Sequence, residues 1–126
     1  MNLLLDTHAA YWWLGGMPEM SKRARQAIDD AGPGDVFFSA VSCYELGLKM
    51  AADKMTPLPG PFIDLARSQG FIELPISARH ADLAARLPSP HKDPWDRVLA
   101  AQAITENMAI VTRDPRIAAL GATVLW

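Results

Sequence analysis

Asn2-Leu3-Leu4-Leu5-Asp6-Thr7-His8, at the start of the sequence, decides the reading of the fold. Three consecutive leucines leave no polar face, so a strand built from them is covered on both sides, as strands are in a parallel sheet between helices. The apolar run stops at Asp6. An ionised carboxylate that closes a buried strand needs hydrogen-bond donors or a cation. In open parallel sheets ligands bind beyond the carboxyl ends of the strands, and Asp6 falls at such an end.

Working outward from that strand, the elements alternate. Helices are expected over Thr7 to about Leu14, over 22–31 behind Ser21 as N-cap, and from Ser39 or Ser42 to about Lys54. Further helices are expected over 62–69, from Ser77 to near Pro88, and from Asp93-Pro94 to about Asn107. Short strands fall at Val36–Phe38, Phe71–Leu74, Ala109–Thr112 and Thr123–Leu125, with a helical turn over Pro115–Leu120. Thr56-Pro57-Leu58-Pro59-Gly60-Pro61 and Pro88–Lys92 are loops, because prolines this dense cannot occupy a helix interior. The pattern predicts an α/β fold, a three-layer α/β/α sandwich around a mostly parallel sheet, in a single domain over residues 1–126.

The chain has 126 residues, half of them hydrophobic, which is enough for a core without disulfides or a structural metal. Cys43 is the only cysteine, which excludes an internal disulfide and a cysteine zinc site. It is expected to be a small buried hydrophobe, in a reducing cytoplasm. No apolar run approaches the ~20 residues of a membrane span, and Asp6 interrupts what would be the core of a signal peptide. The net charge is −2, so overall charge does not favour nucleic acid. An RNA substrate would require a bound cation or a local positive field, for which Lys49, Arg86, Lys92 and Arg113 are the candidates.

Several acids sort to one end of the expected sheet. Asp6 closes the first strand, Asp114 follows the Ala109–Thr112 strand, Glu45 lies early in the helix after the second strand, and Asp93 and Asp96 open a later helix. Carboxylates crowded in one cleft repel each other, and a divalent cation resolves the repulsion. All-oxygen ligation selects Mg²⁺ or Mn²⁺, with open positions for phosphate and water. Local explanations compete. Asp93-Pro94 is a natural N-cap pair, Ser42 and Glu45 have capping-box spacing, and Asp114-Pro115 suits a turn. On the helix that carries Glu45 the apolar stripe is Val41, Tyr44, Leu48, Ala51 and Met55, with Glu45 at its edge.

Four blocks together resemble the PIN-domain ribonucleases, in particular the VapC-like toxins of bacterial toxin–antitoxin pairs. They are Leu3–His8, Ser39–Leu46, His91-Lys92-Asp93-Pro94-Trp95-Asp96-Arg97 with the helix that follows it, and Thr112-Arg113-Asp114. The match runs through the whole chain in order. Carried over by position, Asp6, Glu45, Asp96 and Asp114 are the catalytic acids, with Asp6 and Asp96 ligating Mg²⁺ most directly. Glu45 and Asp114 then act through water or orient the nucleophile. Thr7, Thr112 and Asp93 would stand behind these ligands, Thr7 and Thr112 being equally readable as ordinary strand-end residues and Asp93 as an N-cap. Arg97 would pair with Asp93 or contact substrate phosphate, while His8 and His91 read as local hydrogen-bonders. The resemblance implies metal-dependent RNA cleavage leaving a 5′-phosphate, with Mn²⁺ able to replace Mg²⁺. It also implies a homodimer and a VapB-like antitoxin that covers the cleft and alone contacts operator DNA. The apolar cluster Tyr11, Trp12, Trp13, Leu14 and Met17 fits either an interface or the monomer core.

Rival readings lack their signatures. A receiver domain needs an acidic pair near the first strand and a late lysine, whereas no lysine follows residue 92. A haloacid-dehalogenase-like phosphatase needs a second Asp where His8 stands, and a dinucleotide site needs glycines where Asp6-Thr7-His8-Ala9 stands. A PIN domain that processes RNA or acts on DNA, and a catalytically inactive PIN-like binding module, remain as alternatives.

Overall fold

The computed structural model describes all residues 1–126. Leu3–Leu5 forms β1, and all three leucines are buried, as their lack of alternation requires. Its neighbours are β2 (Val36–Ser39) and β4 (Ala109–Val111), with β3 (Ile72–Leu74) beyond β2 and β5 (Val124–Leu125) beyond β4. Every pairing is parallel, so the mostly parallel sheet of the sequence reading is parallel throughout. The order β3-β2-β1-β4-β5 reverses direction between β1 and β4. That reversal makes a crevice where the chain leaves these two strands, the place where doubly wound sheets bind ligands. Leu5 lies level with Phe38 on β2 and Val111 on β4, so Asp6, Ser39 and Thr112 emerge at the same height.

Seven helices cover the sheet: α1 (Thr7–Leu14), α2 (Lys22–Ala31), α3 (Ala40–Ala51), α4 (Phe62–Ser68), α5 (Ala78–Arg86), α6 (Pro94–Glu106) and the short α7 (Pro115–Ala118). The alternation of strand side chains divides the interior into two cores. Leu3, Leu5, Val36, Phe38 and Val111 point to one face and pack with Ala9, Trp12, Ala24, Ile28 and Ala66 from α1, α2 and α4. Leu4 and Ile110 point to the other and pack with Ala84, Leu99, Ala103 and Ile117 from α5, α6 and α7. This is the expected three-layer sandwich.

The Tyr11–Met17 cluster belongs to the first core. Tyr11 and Trp12 are buried, the Tyr11 hydroxyl donates to the Thr56 carbonyl at 2.7 Å, and Trp13, Leu14 and Met17 pack against the same core. Cys43, expected inside, is half-buried, and burial pushes its thiol above the ordinary value, away from thiolate reactivity. The α3 stripe also differs from expectation. Tyr44 is 60% and Leu48 47% exposed, while Val41, Ser42, Glu45 and Leu46 are buried. The helix is rotated so that a polar strip faces inward, because Ser42 has a partner there: its Oγ lies 2.9 Å from Thr7 Oγ1.

Candidate active site

Asp6 caps α1, its Oδ1 accepting the Ala9 N–H at 2.7 Å, and the residue is only 7% exposed. Burial pushes its carboxyl up from 3.8 to about 6, against the hydrogen bonds from the Thr112 side chain and the Ala9 N–H, with Asp96 and Glu45 adding repulsion. Asp6 has no ion-pair partner of its own.

Of the other three acids of the expected quartet, Glu45 and Asp96 act on it electrostatically and Asp114 lines the same cleft, and each has a close polar neighbour. Glu45 is buried on the inward face of α3 and takes the Lys49 ammonium at 2.8 Å, one turn on. Asp96, in the first turn of α6, has Oδ2 2.7 Å from His91 Nε2. Burial raises its carboxyl above the ordinary value; the His91 hydrogen bond opposes this, and Asp93 and Asp114 add repulsion. Asp114 caps α7 and holds the Arg116 guanidinium through both carboxylate oxygens, with its shortest contact at 2.8 Å, an arrangement that lowers its carboxyl. Ligand atoms of His91, Asp96 and Asp114 all lie within 4.8 Å of one another, a spacing that one cation could bridge. The cleft beside them is about 340 Å³ and opens between Asp6, His8, Trp12 and the Arg113–Arg116 segment.

The supporting residues divide. Thr112 stands beside two of the acids: its side chain lowers the Asp6 carboxyl, and its Oγ1 accepts the Asp114 N–H at 3.0 Å. Thr7 bonds Ser42 and no carboxylate, a tie between α1 and α3 that fits the ordinary strand-end reading. Asp93 is the N-cap of α6, with Oδ1 accepting from Trp95 and Asp96 N–H groups at 2.9 and 3.1 Å and Pro94 in the first turn. Its charge also reaches Asp96, so the cap and the neighbouring-acid readings both describe it.

Arg97 has neither of its expected partners. Its guanidinium donates to the carbonyls of Ala84, Leu87, Ser89 and His91 at 2.7–3.2 Å, which fastens the end of α5 and the following loop to α6. Four of its five N–H donors are spent on backbone, which leaves a single one and no bidentate edge for a phosphate. Arg116 was missed by the sequence reading. The signal was Asp114-Pro115-Arg116, in which proline starts a helical turn that folds the arginine back over the acid. His91 is the local hydrogen-bonder expected, whereas His8 makes no side-chain hydrogen bond, tilting instead against Trp12 at 5.5 Å, and burial lowers its imidazole below the ordinary value.

Comparison with known proteins agrees with this geometry. The model of the PIN domain family matches residues 3–122. Ribonuclease VapC22 of Mycobacterium tuberculosis is 32% identical over 119 residues, covering 92% of this chain and 89% of that protein. Among solved structures, VapBC2 from Rickettsia felis bound to a promoter DNA fragment superposes with a TM-score of 0.73 at 16% identity, over 99% of this chain and 98% of the other. A toxin–antitoxin complex from Klebsiella pneumoniae gives 0.69 at 21% identity, over 99% and 97%. FitAcB from Neisseria gonorrhoeae gives 0.69 at 20%, over 98% and 96%. With a doubly wound parallel sheet, acids gathered at its reversal point, and a family match over nearly its full length, the chain belongs to the PIN-domain family.

Proposed function

We propose that this chain is a VapC-like endoribonuclease toxin, dependent on Mg²⁺ or Mn²⁺ and inhibited by a cognate antitoxin. The observation that carries the reading is Asp6, a buried carboxylate without a cationic side-chain partner at the sheet reversal, with Glu45 and Asp96 adding repulsion and Asp114 lining the same cleft. A buried carboxyl raised to about 6 is one a hard cation would stabilise in its charged form, so the donor set fits the metal. Asp6 and Asp96 would hold the ion. Glu45 and Asp114 would orient the attacking water and take its proton.

A bound divalent ion supplies charge neutralisation at the scissile phosphate and acidifies the water that attacks it. The chain's own residues do the rest. Thr112 holds the backbone of Asp114, and His91 fixes the rotamer of Asp96. Lys49 and Arg116 offset part of the negative charge that would otherwise repel RNA. Hydrolysis breaks the P–O3′ bond, leaving the 5′-phosphate and the 3′-hydroxyl. The name of the related ribonuclease supports RNA as substrate, and the neighbours that are toxin–antitoxin complexes support a VapB-like partner. In this reading residues 1–126 form one cytoplasmic PIN domain that acts as a homodimer and meets operator DNA only through the antitoxin.

The test is incubation of the purified protein with a pool of cellular RNAs in EDTA, Mg²⁺ or Mn²⁺, beside Asp6→Asn and Asp96→Asn. Discrete cuts are expected only with metal and only in the wild type. Cleavage in EDTA, cleavage by both variants, or no cleavage by wild type with either metal would overturn the reading.

A further inference from the structure

Lys92, exposed and unpaired, does not line the cleft, and of the cations that line it or bind the neighbouring acids only Arg113 is uncommitted. Lys49 is bound to Glu45, Arg116 to Asp114, and Arg97 to four carbonyls. Arg113 is exposed and makes neither a hydrogen bond nor an ion pair through its side chain, although it borders the cleft between Asp6 and Asp114. It is nevertheless held in place. Its Cζ lies 4.4 Å from the centroid of the Trp12 ring, so the guanidinium is laid on the indole face.

Trp12 is a fixed platform. It is 7% exposed, packed edge-on against Trp126 at 5.7 Å and tilted against His8 at 5.5 Å. Stacking uses the face of a guanidinium and leaves its N–H edge free, and that edge is the part that matches two oxygens of one phosphate. A stacked arginine has also given up much of its side-chain freedom before any ligand arrives, which lowers the cost of binding. Four acids would leave the cleft with a field hostile to RNA, so a fixed, unneutralised positive group at its lip has a clear use.

From this geometry we propose that Arg113, laid on Trp12, is a positioning residue that grips the RNA phosphate next to the scissile one. The assignment rests on the ribonuclease reading above and names how that site holds its substrate. A phosphate contact carries no base information, so Arg113 acts on register and affinity alike for any RNA sequence.

The test is steady-state cleavage of labelled single-stranded RNAs by wild type, Arg113→Ala, Arg113→Lys and a charge-matched control, Lys22→Ala, on α2. Arg113→Ala is expected to raise KM about tenfold with kcat within about twofold, by a similar factor for RNAs of different sequence. The log–log salt dependence of kcat/KM should become shallower by about 0.7, the contribution of one phosphate on a single strand. Arg113→Lys should fall between, Lys22→Ala should match wild type, and the melting temperatures should coincide. A wild-type KM and salt slope in Arg113→Ala, a change no larger than in Lys22→Ala, or a fall in kcat at unchanged KM would overturn the assignment while leaving the ribonuclease reading intact. A wild-type protein that cuts no RNA with metal would remove both.

Discussion

Asp6 concentrates the conflict between folding and function in one side chain. It caps α1 through the Ala9 N–H, which stabilises the helix, yet it carries a carboxyl raised from 3.8 to about 6 by burial. The sign of the consequence follows from linkage. The folded state holds the proton more tightly than the unfolded one, so ionisation costs folding energy. The cost appears as pH rises from about 3.8 to 6 and is fully present above that range, with a ceiling of about 3 kcal/mol. Asn also caps helices well, so Asp6→Asn should be inactive but more stable than wild type in EDTA at pH 7.5, by about 1–3 kcal/mol, and nearly equal to it at pH 4. Urea denaturation at the two pH values checks this; an equal difference at both would contradict the burial argument. Asp6 was legible from the sequence because an acid that ends an apolar strand has few ordinary explanations. Arg113 on Trp12 was not, since residues about a hundred positions apart announce no stacking.

At the scale of elements, α3 and α6 show what hydrophobic periodicity can and cannot reveal. The stripe places Val41 correctly but Tyr44 and Leu48 on the wrong face of α3, because a helix that delivers Glu45 and Ser42 inward must turn part of its apolar surface outward. Periodicity assumes that the buried face is the greasy one, and a catalytic helix breaks that assumption. On α6 the hidden device is Gln102, fully buried, whose Oε1 accepts the Ser39 hydroxyl at 2.6 Å while its amide donates to Pro75 O at 3.2 Å. It pins α6 to the ends of β2 and β3, and so fixes where Asp96 stands. Gln102→Ala should cost about 2–4 kcal/mol, leaving a cavity and an unpaired hydroxyl, and should lower kcat by displacing Asp96. Arg97→Ala should cost about 2–4 kcal/mol through its lost carbonyl bonds, with little change in the salt dependence of RNA cleavage, since it holds backbone and no phosphate. A shallower salt slope in Arg97→Ala would restore the phosphate role that its hydrogen bonds deny. Helix and strand ends were read to within a few residues because Ser21, Ser77 and Asp93-Pro94 mark starts by their own chemistry, and Asn107 ends α6 in the left-handed conformation at φ 56°.

For the whole molecule, the strand order decides where the chemistry sits. β1 is central, β2 and β3 extend to one side and β4 and β5 to the other, so the loops leaving β1 and β4 diverge and open the cleft between Asp6 and Asp114. The alternation of elements implied a parallel sheet, but the order of its strands follows from tertiary packing that no local pattern encodes. Acids at those strand ends, drawn from four separate segments, are destabilising together and useful together. If they form one site, a divalent ion stabilises the native state by mass action, by about 2.7 kcal/mol when the ion is a hundredfold above its Kd. The melting temperature in Mn²⁺ should rise accordingly for wild type and remain at its EDTA value for Asp6→Asn. The most direct measurement is calorimetric titration of Mn²⁺ into wild type, Asp6→Asn, Asp96→Asn and Arg97→Lys at pH 7.5. Saturable binding is expected of wild type and Arg97→Lys, with loss or at least tenfold weakening in both acid variants. Undiminished binding by Asp6→Asn and Asp96→Asn would show that these carboxylates do not hold the metal, and would contradict the account at its centre.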